Sequence, residues 1–234
     1  MVVARARLCG PVAIVLVGWI AGLSGAARGA DIRGRVTLVN PVSRDEPKGD
    51  LYGGRAAQMP GKMAQLESRS EVQNVVIFIK GRVDSPDGKP WPPPREPVKV
   101  LQINTSFVPR VQSVIVGQRV EFQNQDPLFH NVFSLSKTAP FDLGRFPAPE
   151  SKEMTFLKPG PVKVFCDIHS HMKGVVLVLP HPFFASPGQQ GSYEIKGLPP
   201  GDYTLVAWHD LLQPQSRKIR ISSESQALEA DFDL

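Results

Sequence analysis

The chain has 234 residues, of which 41% are hydrophobic and 21% charged, and its formal net charge is +5. These proportions are those of an ordinary globular protein. Twenty glycines and 23 prolines exclude a helical bundle, because both residues interrupt helices, and apolar segments that recur along the chain exclude long disorder.

Residues 1–30 have the pattern of a secretory signal peptide. Arg5 and Arg7 precede an uncharged run over residues 8–23. This run is shorter than the ~20 residues that a membrane-spanning helix needs, and it suits a signal core. Small residues then allow cleavage after Ala27 or after Ala30. We therefore expect a periplasmic or otherwise exported protein with no membrane span after signal removal; a retained N-terminal anchor is the alternative.

Removal of the signal changes the charge and the cysteine count. Three arginines leave with it, so 24 basic residues face 22 acidic ones, a net charge of +2, and nucleic acid is not an expected partner. Cys9 also leaves, and the mature chain keeps Cys166 as its single cysteine. Exported proteins usually pair their cysteines. A single thiol is therefore exposed to oxidation unless something, such as a bound metal, occupies it.

Period-two alternation and short apolar runs between turn residues predict an all-β protein. The predicted strands are Arg33–Val39, Asn74–Lys80, Val98–Ile103, Ser113–Val116, Arg119–Gln123, Asn131–Ser134, Lys152–Leu157, Val162–Phe165, Gly174–Leu179, Ser192–Ile195, Asp202–Trp208, Arg217–Ile221 and Leu228–Leu234. Their regular spacing is typical of β-sandwiches. Val116–Arg119 predicts a tight hairpin, and the single helix candidate is near Lys62–Glu71.

Two proline-rich stretches divide the chain. Residues 84–97 contain six prolines and are predicted to be an extended linker, and a second stretch follows at 180–191. Residues 98–180 are predicted to form one sandwich. Neither flank has enough strands to cover both faces of a sandwich, so residues 31–83 and 185–234 are predicted to fold together as a second, split sandwich.

A candidate metal-binding loop lies between two predicted strands. Cys166, His169 and Met172 follow one another at intervals of three residues, and His130 precedes them by 36 or more residues. A thiolate, two imidazoles and a thioether are the donor set of a trigonal copper site with a weak axial methionine. Three ligands on one loop can surround an ion, and the fourth then connects the loop to the sandwich.

Each of these residues also has an ordinary interpretation, since cysteine and methionine are more often core residues. The combination favours a metal, and the soft methionine favours copper over zinc. His171 could replace His169 as a ligand, although we expect it to be a surface residue near the edge of the site. His181 and His209 lie outside the motif and are expected to be solvated.

At these residues the chain resembles the cupredoxin family of type 1, or blue, copper proteins. The Cys166-x-x-His169-x-x-Met172 loop is similar to the short loop of amicyanin, and Phe129–Val132 is similar to the segment around the first histidine ligand. The resemblance implies a Greek-key β-sandwich of the amicyanin or plastocyanin type and one type 1 copper. His130, Cys166 and His169 would be the equatorial ligands, and Met172 the axial one.

The same resemblance implies the roles of neighbouring residues. The N–H of Asn131 would donate to the thiolate, and its side chain would connect the two ligand loops. His169 would be the electron exit, with Phe129 in a docking patch. Phe141–Phe146 either covers one side of the site or is a plain apolar loop. The function implied is electron transport, without enzymatic activity, to a redox partner such as a cytochrome or dehydrogenase.

The flanking sequence carries a second resemblance. Ser192–Leu205, with its Pro-Pro-Gly turn, is similar to the carboxypeptidase regulatory-like, or prealbumin-like, β-sandwich, and Gly34–Val36 and Asn74–Phe78 are similar to its early strands. The whole layout resembles exported cupredoxin-like proteins often labelled methylamine-utilisation proteins. Two alternatives stay open, a copper carrier or chaperone without a redox role and a structural sandwich with a degenerate metal site. The oligomeric state is also open.

Overall fold

Nearly all regular structure in the described part of the chain is β-strand, as predicted. The computed structural model describes residues 29–39, 42, 71–222 and 227–234. The strands are β1 (Ala30–Thr37), β2 (Val76–Ile79), β3 (Val98–Ile103), β4 (Ser106–Val108), β5 (Val111–Ile115), β6 (Arg119–Asn124), β7 (His130–Ser134), β8 (Phe141–Phe146), β9 (Ser151–Thr155), β10 (Gly160–Phe165), β11 (Lys173–Leu179), β12 (Phe184–Ala185), β13 (Ser192–Leu198), β14 (Gly201–Trp208), β15 (Gln215–Ile221), β16 (Ala227–Glu229) and β17 (Phe232–Asp233).

Helix is confined, among the described residues, to one turn of 3-10 helix at Glu71–Asn74. The rest of the helix predicted near Lys62–Glu71 lies outside the described residues. Within the described ranges, no helix has the length and apolar character that a membrane crossing requires.

Every predicted strand overlaps an observed one, and three further strands were not predicted. β4 and β12 have three and two residues, too few for alternation to be visible in the sequence. β8 has only one fully buried residue, Phe146, so its sequence does not carry a clear apolar face. Phe141–Phe146 is therefore a strand, so of the two alternatives left open for this segment the plain apolar loop is wrong.

The strands β3–β11 form a sandwich that we call the central sandwich. One sheet has the order β5-β11-β10-β7-β8, and the other has the order β4-β3-β6-β9. Side chains from both sheets fill the space between them, as alternation along each strand requires. Buried residues of this core include Val100, Phe122, Val132, Phe146, Val164, Cys166, Met172 and Val176.

The turn at Val116–Arg119 is tight but does not form the predicted hairpin. The Gln118 N–H donates to the Ile115 carbonyl at 3.0 Å, and Gly117 has a φ of 86°, which favours glycine. The strands on either side lie in different sheets, because β5 pairs with β11 and β6 pairs with β3 and β9. Local turn chemistry determines the reversal of the chain, whereas the pairing partners come from the whole sandwich.

The strands β1, β2 and β12–β17 form a second sandwich, which we call the flanking sandwich. Its sheets have the orders β13-β1-β16, with β17 also paired to β1, and β12-β2-β14-β15. The early strands β1 and β2 thus lie between strands from the C-terminal part of the chain. Gly34 in β1 permits this packing, because an added Cβ would lie 2.0 Å from the Ala230 carbonyl oxygen.

An apolar contact joins the two sandwiches. It includes four residues on the outer face of the central sandwich and four from the flanking sandwich: Val111, Val175, Leu177 and Leu179 pack with Val76, Phe78, Phe184 and Trp208. Because its other face lies against the central core, β11 is buried on both faces from Gly174 onward. This explains its continuous apolar sequence, which is typical of strands covered on both sides.

A cluster of charged side chains lies at the same junction. The Arg110 guanidinium donates to Asp210 at 2.5 Å and to Glu71 at 3.0 Å, and these three side chains are only 11–16% exposed. His209 Nε2 lies 3.1 Å from the same Glu71 oxygen. His209 is 1% exposed, so its prediction as a solvated residue is wrong. Its Nδ1 accepts the N–H of nearby Leu211, but the groups that face its Nε2, Glu71 and Arg110, come from segments distant in sequence.

His181 is also buried rather than solvated. It is fully inaccessible, its Nδ1 accepts the N–H of Phe183 at 3.3 Å, and its ring lies 5.6 Å from the Phe183 ring. Burial lowers the pKa of His181, so the ring is neutral and acts as a core residue of the connection between the sandwiches.

The pairing of β1 and β2 gives a test of the domain division, which stays a prediction. A chain that lacks residues 31–83 loses a strand from inside each flanking sheet. We expect β13–β15 then to become sensitive to limited proteolysis, measured by mass spectrometry against the intact mature chain. Full protection of residues 185–234 in the truncated chain would contradict the split-sandwich organisation.

The charged junction gives a second prediction. Arg110→Met should lower the free energy of unfolding by about 3 kcal/mol, because the largely buried carboxylates of Glu71 and Asp210 lose the opposing charge. The matched control is Arg119→Met, whose pair with Glu153 is 41–48% exposed and should contribute at most about 1 kcal/mol. Denaturant unfolding of both variants measures this difference, and equal losses would contradict it.

Candidate metal centre

Three of the predicted ligands meet at one end of the central sandwich. His130 is the first residue of β7, Cys166 directly follows β10, and His169 lies in the loop between β10 and β11. β7 and β10 are antiparallel neighbours, with Phe165 opposite Phe133. The start of one strand and the end of the other therefore lie side by side, which places His130 next to the loop.

The three ligand atoms form a triangle with two nearly equal sides that meet at the sulfur and a shorter side between the two nitrogens. His130 Nδ1 and His169 Nδ1 are 3.1 Å apart, and Cys166 Sγ lies 3.9 and 3.8 Å from them. The centre of such a triangle is ~2.1 Å from each corner, close to the ~2.0–2.3 Å length of metal–nitrogen and metal–sulfur bonds. His130, Cys166 and His169 are 0%, 4% and 9% exposed. This buried group could hold a metal ion.

Met172 lies at the end of the same loop and belongs to the core that contains Cys166. It is 1% exposed. The Cys166 N–H donates to the Met172 carbonyl at 3.3 Å, and the Met172 N–H donates to the His169 carbonyl at 2.9 Å. These main-chain hydrogen bonds fold the loop back on itself and keep Met172 close to Cys166 and His169. Its role as a fourth ligand stays a prediction.

Asn131 supports the thiolate through its backbone, whereas its side chain has a different partner from the one predicted. Its N–H lies 3.5 Å from Cys166 Sγ. Its side-chain amide donates to Asp142 Oδ1 at 2.8 Å, and Asp142 also accepts the Gly144 N–H. The side chain therefore connects β7 to the unpredicted strand β8 and does not connect the two ligand loops.

Asp126 contacts the site and was not predicted from the sequence. Its Oδ2 lies 2.6 Å from His130 Nε2, and the residue is 1% exposed. The N–H groups of Asn104 and Thr105 donate to its two oxygens at 2.6 and 2.8 Å. In the sequence, Asp126 is an aspartate four residues before a predicted ligand. That spacing alone does not show that its side chain contacts His130.

The electrostatics of the site favour an ionised thiol. Burial raises the pKa of Cys166, but hydrogen bonds with His130 and with the Asn131 N–H outweigh it, so the pKa is lowered overall. Burial likewise disfavours protonated His130, but hydrogen bonds to Asp126 and Cys166 raise its pKa to about 9. Metal binding by His130 at neutral pH is therefore expected to release a proton.

His169 differs from His130 in charge and in exposure. Burial and the positive charge of His130 lower the pKa of His169, so its ring is neutral at neutral pH. His171 is exposed, and its Nε2 lies 2.9 Å from Thr105 Oγ1 rather than in the triangle. Three apolar side chains of neighbouring loops are exposed: Leu128 (47%), Phe129 (58%) and Ile168 (39%).

Cys166, His130 and Asp126 also have the order of a cysteine nucleophile, its base and an orienting carboxylate. Catalytic cysteines are partly exposed, whereas Cys166 is only 4% exposed. A second imidazole, that of His169, lies 3.8 Å from its sulfur. The geometry therefore favours metal binding over nucleophilic catalysis.

Comparison with known proteins gave structural similarities only. No protein-family model and no curated protein sequence matches the chain. It is similar to a Cu-containing nitrite reductase from Thermus scotoductus SA-01, at 28% identity over 42% of this chain and 27% of the reductase, with a TM-score of 0.35. It is also similar to a purple cupredoxin from Nitrosopumilus maritimus, at 21% identity over 35% of this chain and 99% of that protein, with a TM-score of 0.33.

A mutant of amicyanin in its reduced state is a third similar structure, at 19% identity over 44% of this chain and 98% of amicyanin, with a TM-score of 0.34. Each similarity covers less than half of this chain, and the chain spans about a quarter of the length of the reductase.

The triangle of ligand atoms predicts different results for the two loop histidines. Loaded with Cu(II), His169→Ala should lose the thiolate-to-metal absorption band and at least tenfold in metal affinity, because one corner of the triangle is removed. The matched control, His171→Ala, should keep both, since His171 contacts Thr105. Absorption spectra and metal titrations measure the difference, and the reverse pattern would show that His171 is the ligand.

Proposed function

We propose that this protein is an exported type 1 copper protein that carries single electrons. The observation that carries the proposal is the buried triangle of His130 Nδ1, His169 Nδ1 and Cys166 Sγ, with sides of 3.1–3.9 Å. Two imidazoles and one thiolate in trigonal arrangement are typical of electron-transfer copper sites, in which a methionine is a weak axial ligand. Buried Met172 is the methionine proposed for that position.

Copper fits this donor set better than zinc does. Zinc favours tetrahedral sites with four strong nitrogen, sulfur or oxygen ligands. The described residues bring three such ligands together here: His130, Cys166 and His169. The remaining candidate, Met172, offers a soft thioether, which suits Cu(I). The proposed copper-binding unit is residues 98–180, with residues 31–83 and 185–234 as the supporting sandwich.

Bound copper would supply a one-electron couple by alternating between Cu(I) and Cu(II). The protein contributes a rigid, largely dry site. His130 is held by Asp126, the Cys166 sulfur accepts the N–H of Asn131, and the loop is closed by its own main-chain bonds. Ligands fixed in this way move little when the charge of the site changes, which favours fast electron transfer.

The exit for the electron is proposed at His169. This residue is the most exposed of the three, at 9%, and the exposed side chains of Phe129 and Ile168 belong to the two ligand loops. Exposed apolar groups around a site are typical of docking surfaces. A redox protein such as a cytochrome or a dehydrogenase is the proposed partner, and a protein that only passes electrons would itself not be an enzyme.

Export is proposed from the signal-like sequence at residues 1–30. β1 begins at Ala30, which is fully buried, so cleavage after Ala27 would keep this strand intact. Cys166 is the free, buried cysteine of the described residues. Its burial, and a bound metal, would protect it in an oxidising compartment.

The proposal predicts a visible absorption band that depends on the sulfur atom of Cys166. Mature protein should bind one copper per chain and, when oxidised, absorb strongly in the red-orange region through thiolate-to-Cu(II) charge transfer. Cys166→Ser should abolish this band because the sulfur is gone, while circular dichroism still shows a folded β-protein. Copper analysis and visible spectroscopy test both statements.

Copper bound by the wild-type protein without a thiolate band would contradict the electron-transfer proposal and favour the copper carrier. Absence of copper binding would instead favour the structural sandwich with a degenerate site.

A further inference from the structure

A buried carboxylate lies on the side of His130 that faces away from the ligand triangle. Asp126 Oδ2 is 2.6 Å from His130 Nε2, while His130 Nδ1 faces Cys166 and His169. Asp126 and His130 are 1% and 0% exposed. The imidazole therefore bridges the carboxylate and the position expected for the metal, and each of its two nitrogens has a different function.

The protein holds this carboxylate in place from two sides. Asn104 and Thr105 donate their N–H groups to its two oxygens at 2.6 and 2.8 Å. Both residues have positive φ values, 51° and 53°, a conformation that is uncommon for residues other than glycine. On the other side, the Asp126 N–H donates to Asn124 Oδ1 at 2.9 Å.

Asn124 in turn ties this arrangement to the ligand loop and to β8. Its side-chain amide donates to the carbonyls of Leu128 and Phe146 at 2.8 and 3.0 Å. Leu128 lies two residues before His130, and Phe146 is opposite His130 in the sheet. The orientation of Asp126 is therefore defined by protein contacts alone.

The chemistry of imidazole makes this contact selective. A neutral histidine has a proton on one ring nitrogen and a lone pair on the other. The hydrogen-bond partner of one nitrogen determines which of the two carries the proton. A carboxylate accepts but does not donate when ionised, so it requires the proton on Nε2. The lone pair then lies on Nδ1, the atom of the triangle. Two of the three donors to Asp126 are neutral amides, so its negative charge is not cancelled by them.

We propose that Asp126 is a positioning residue that fixes His130 in the Nε2–H tautomer and, through its buried negative charge, stabilises Cu(II) relative to Cu(I). The inference rests on the proposed copper function and adds to it the direction in which Asp126 changes the reduction potential. The carboxylate makes the Nδ1 lone pair of His130 a stronger ligand for the metal, and it lowers the reduction potential of the site. A partner that accepts electrons from this protein would then be favoured over one that donates them.

The test compares two aspartate variants. Asp126→Asn keeps the shape but removes the charge, and it should lower Cu(II) affinity by tenfold or more, as loss of a partner of a ligating histidine typically does, with a smaller loss for Cu(I). A tenfold difference between the two losses corresponds to a rise in potential of ~59 mV for one electron. Affinities are measured by competition titration, and the potential is measured by redox titration of the thiolate band.

The control is Asp167→Asn, which removes a carboxylate next to Cys166 in the sequence. Asp167 is 37% exposed and pairs with Arg145 rather than with a ligand. It should change the potential by less than a third of the Asp126→Asn shift. Equal shifts in the two variants, or an unchanged or lowered potential in Asp126→Asn, would overturn the proposed effect of charge.

A second measurement does not depend on the variant folding or on copper. In wild-type protein loaded with diamagnetic Zn(II), nitrogen NMR should show His130 bound through Nδ1 with a slowly exchanging Nε2 proton. Binding through Nε2 would overturn the positioning role. A wild-type protein that binds zinc in this way but shows no thiolate–copper band would leave the positioning role intact and disprove the proposed function.

Discussion

The approach of His130 to the Cys166–His169 loop is the contact on which the site depends. These residues are 36 and 39 positions apart in sequence, and their ligand atoms lie 3.1–3.9 Å from one another. The antiparallel neighbours β7 and β10 bring them together, and the central core fixes the pairing of these strands by burying side chains from both sheets. Because the core determines the register, it also determines how close His130 lies to the loop.

A layer of hydrogen bonds around the ligands determines their charge and orientation. Asn131 donates to the sulfur, and Asp126 faces the outer nitrogen of His130. These interactions favour a thiolate and a fixed imidazole, which are the forms that bind a metal. The supporting contacts come from β8 and from the turn before β4, so small elements with little core of their own contribute to the chemistry of the site.

The flanking sandwich contacts the central sandwich at the outer face of β11 and around Arg110. The strand β11 belongs to the same sheet as β7 and β10, which carry His130 and lead to Cys166. β11 follows the ligand loop directly, beginning one residue after Met172. Its burial on both faces restrains that end of the loop. The flanking strands thereby support the sheet from which the ligand residues project, without contributing a residue to the ligand triangle.

The sequence by itself determined the all-β class and the position of most strands, because alternation is a local pattern. It also indicated the residues of the ligand triangle, through the Cys-x-x-His spacing and the resemblance of Phe129–Val132 to a ligand segment, with His171 as an alternative to His169. Only the tertiary structure decided the partners of residues whose contacts are distant. His181 stands between two prolines and His209 between Trp208 and Asp210; both were predicted to be solvated, yet both are buried. Asp126 lies in the loop between β6 and β7, and its carboxylate is held by Asn104 and Thr105, which are more than 20 residues away in sequence. Local sequence defines strand and turn, whereas burial and charge depend on which strands pack together.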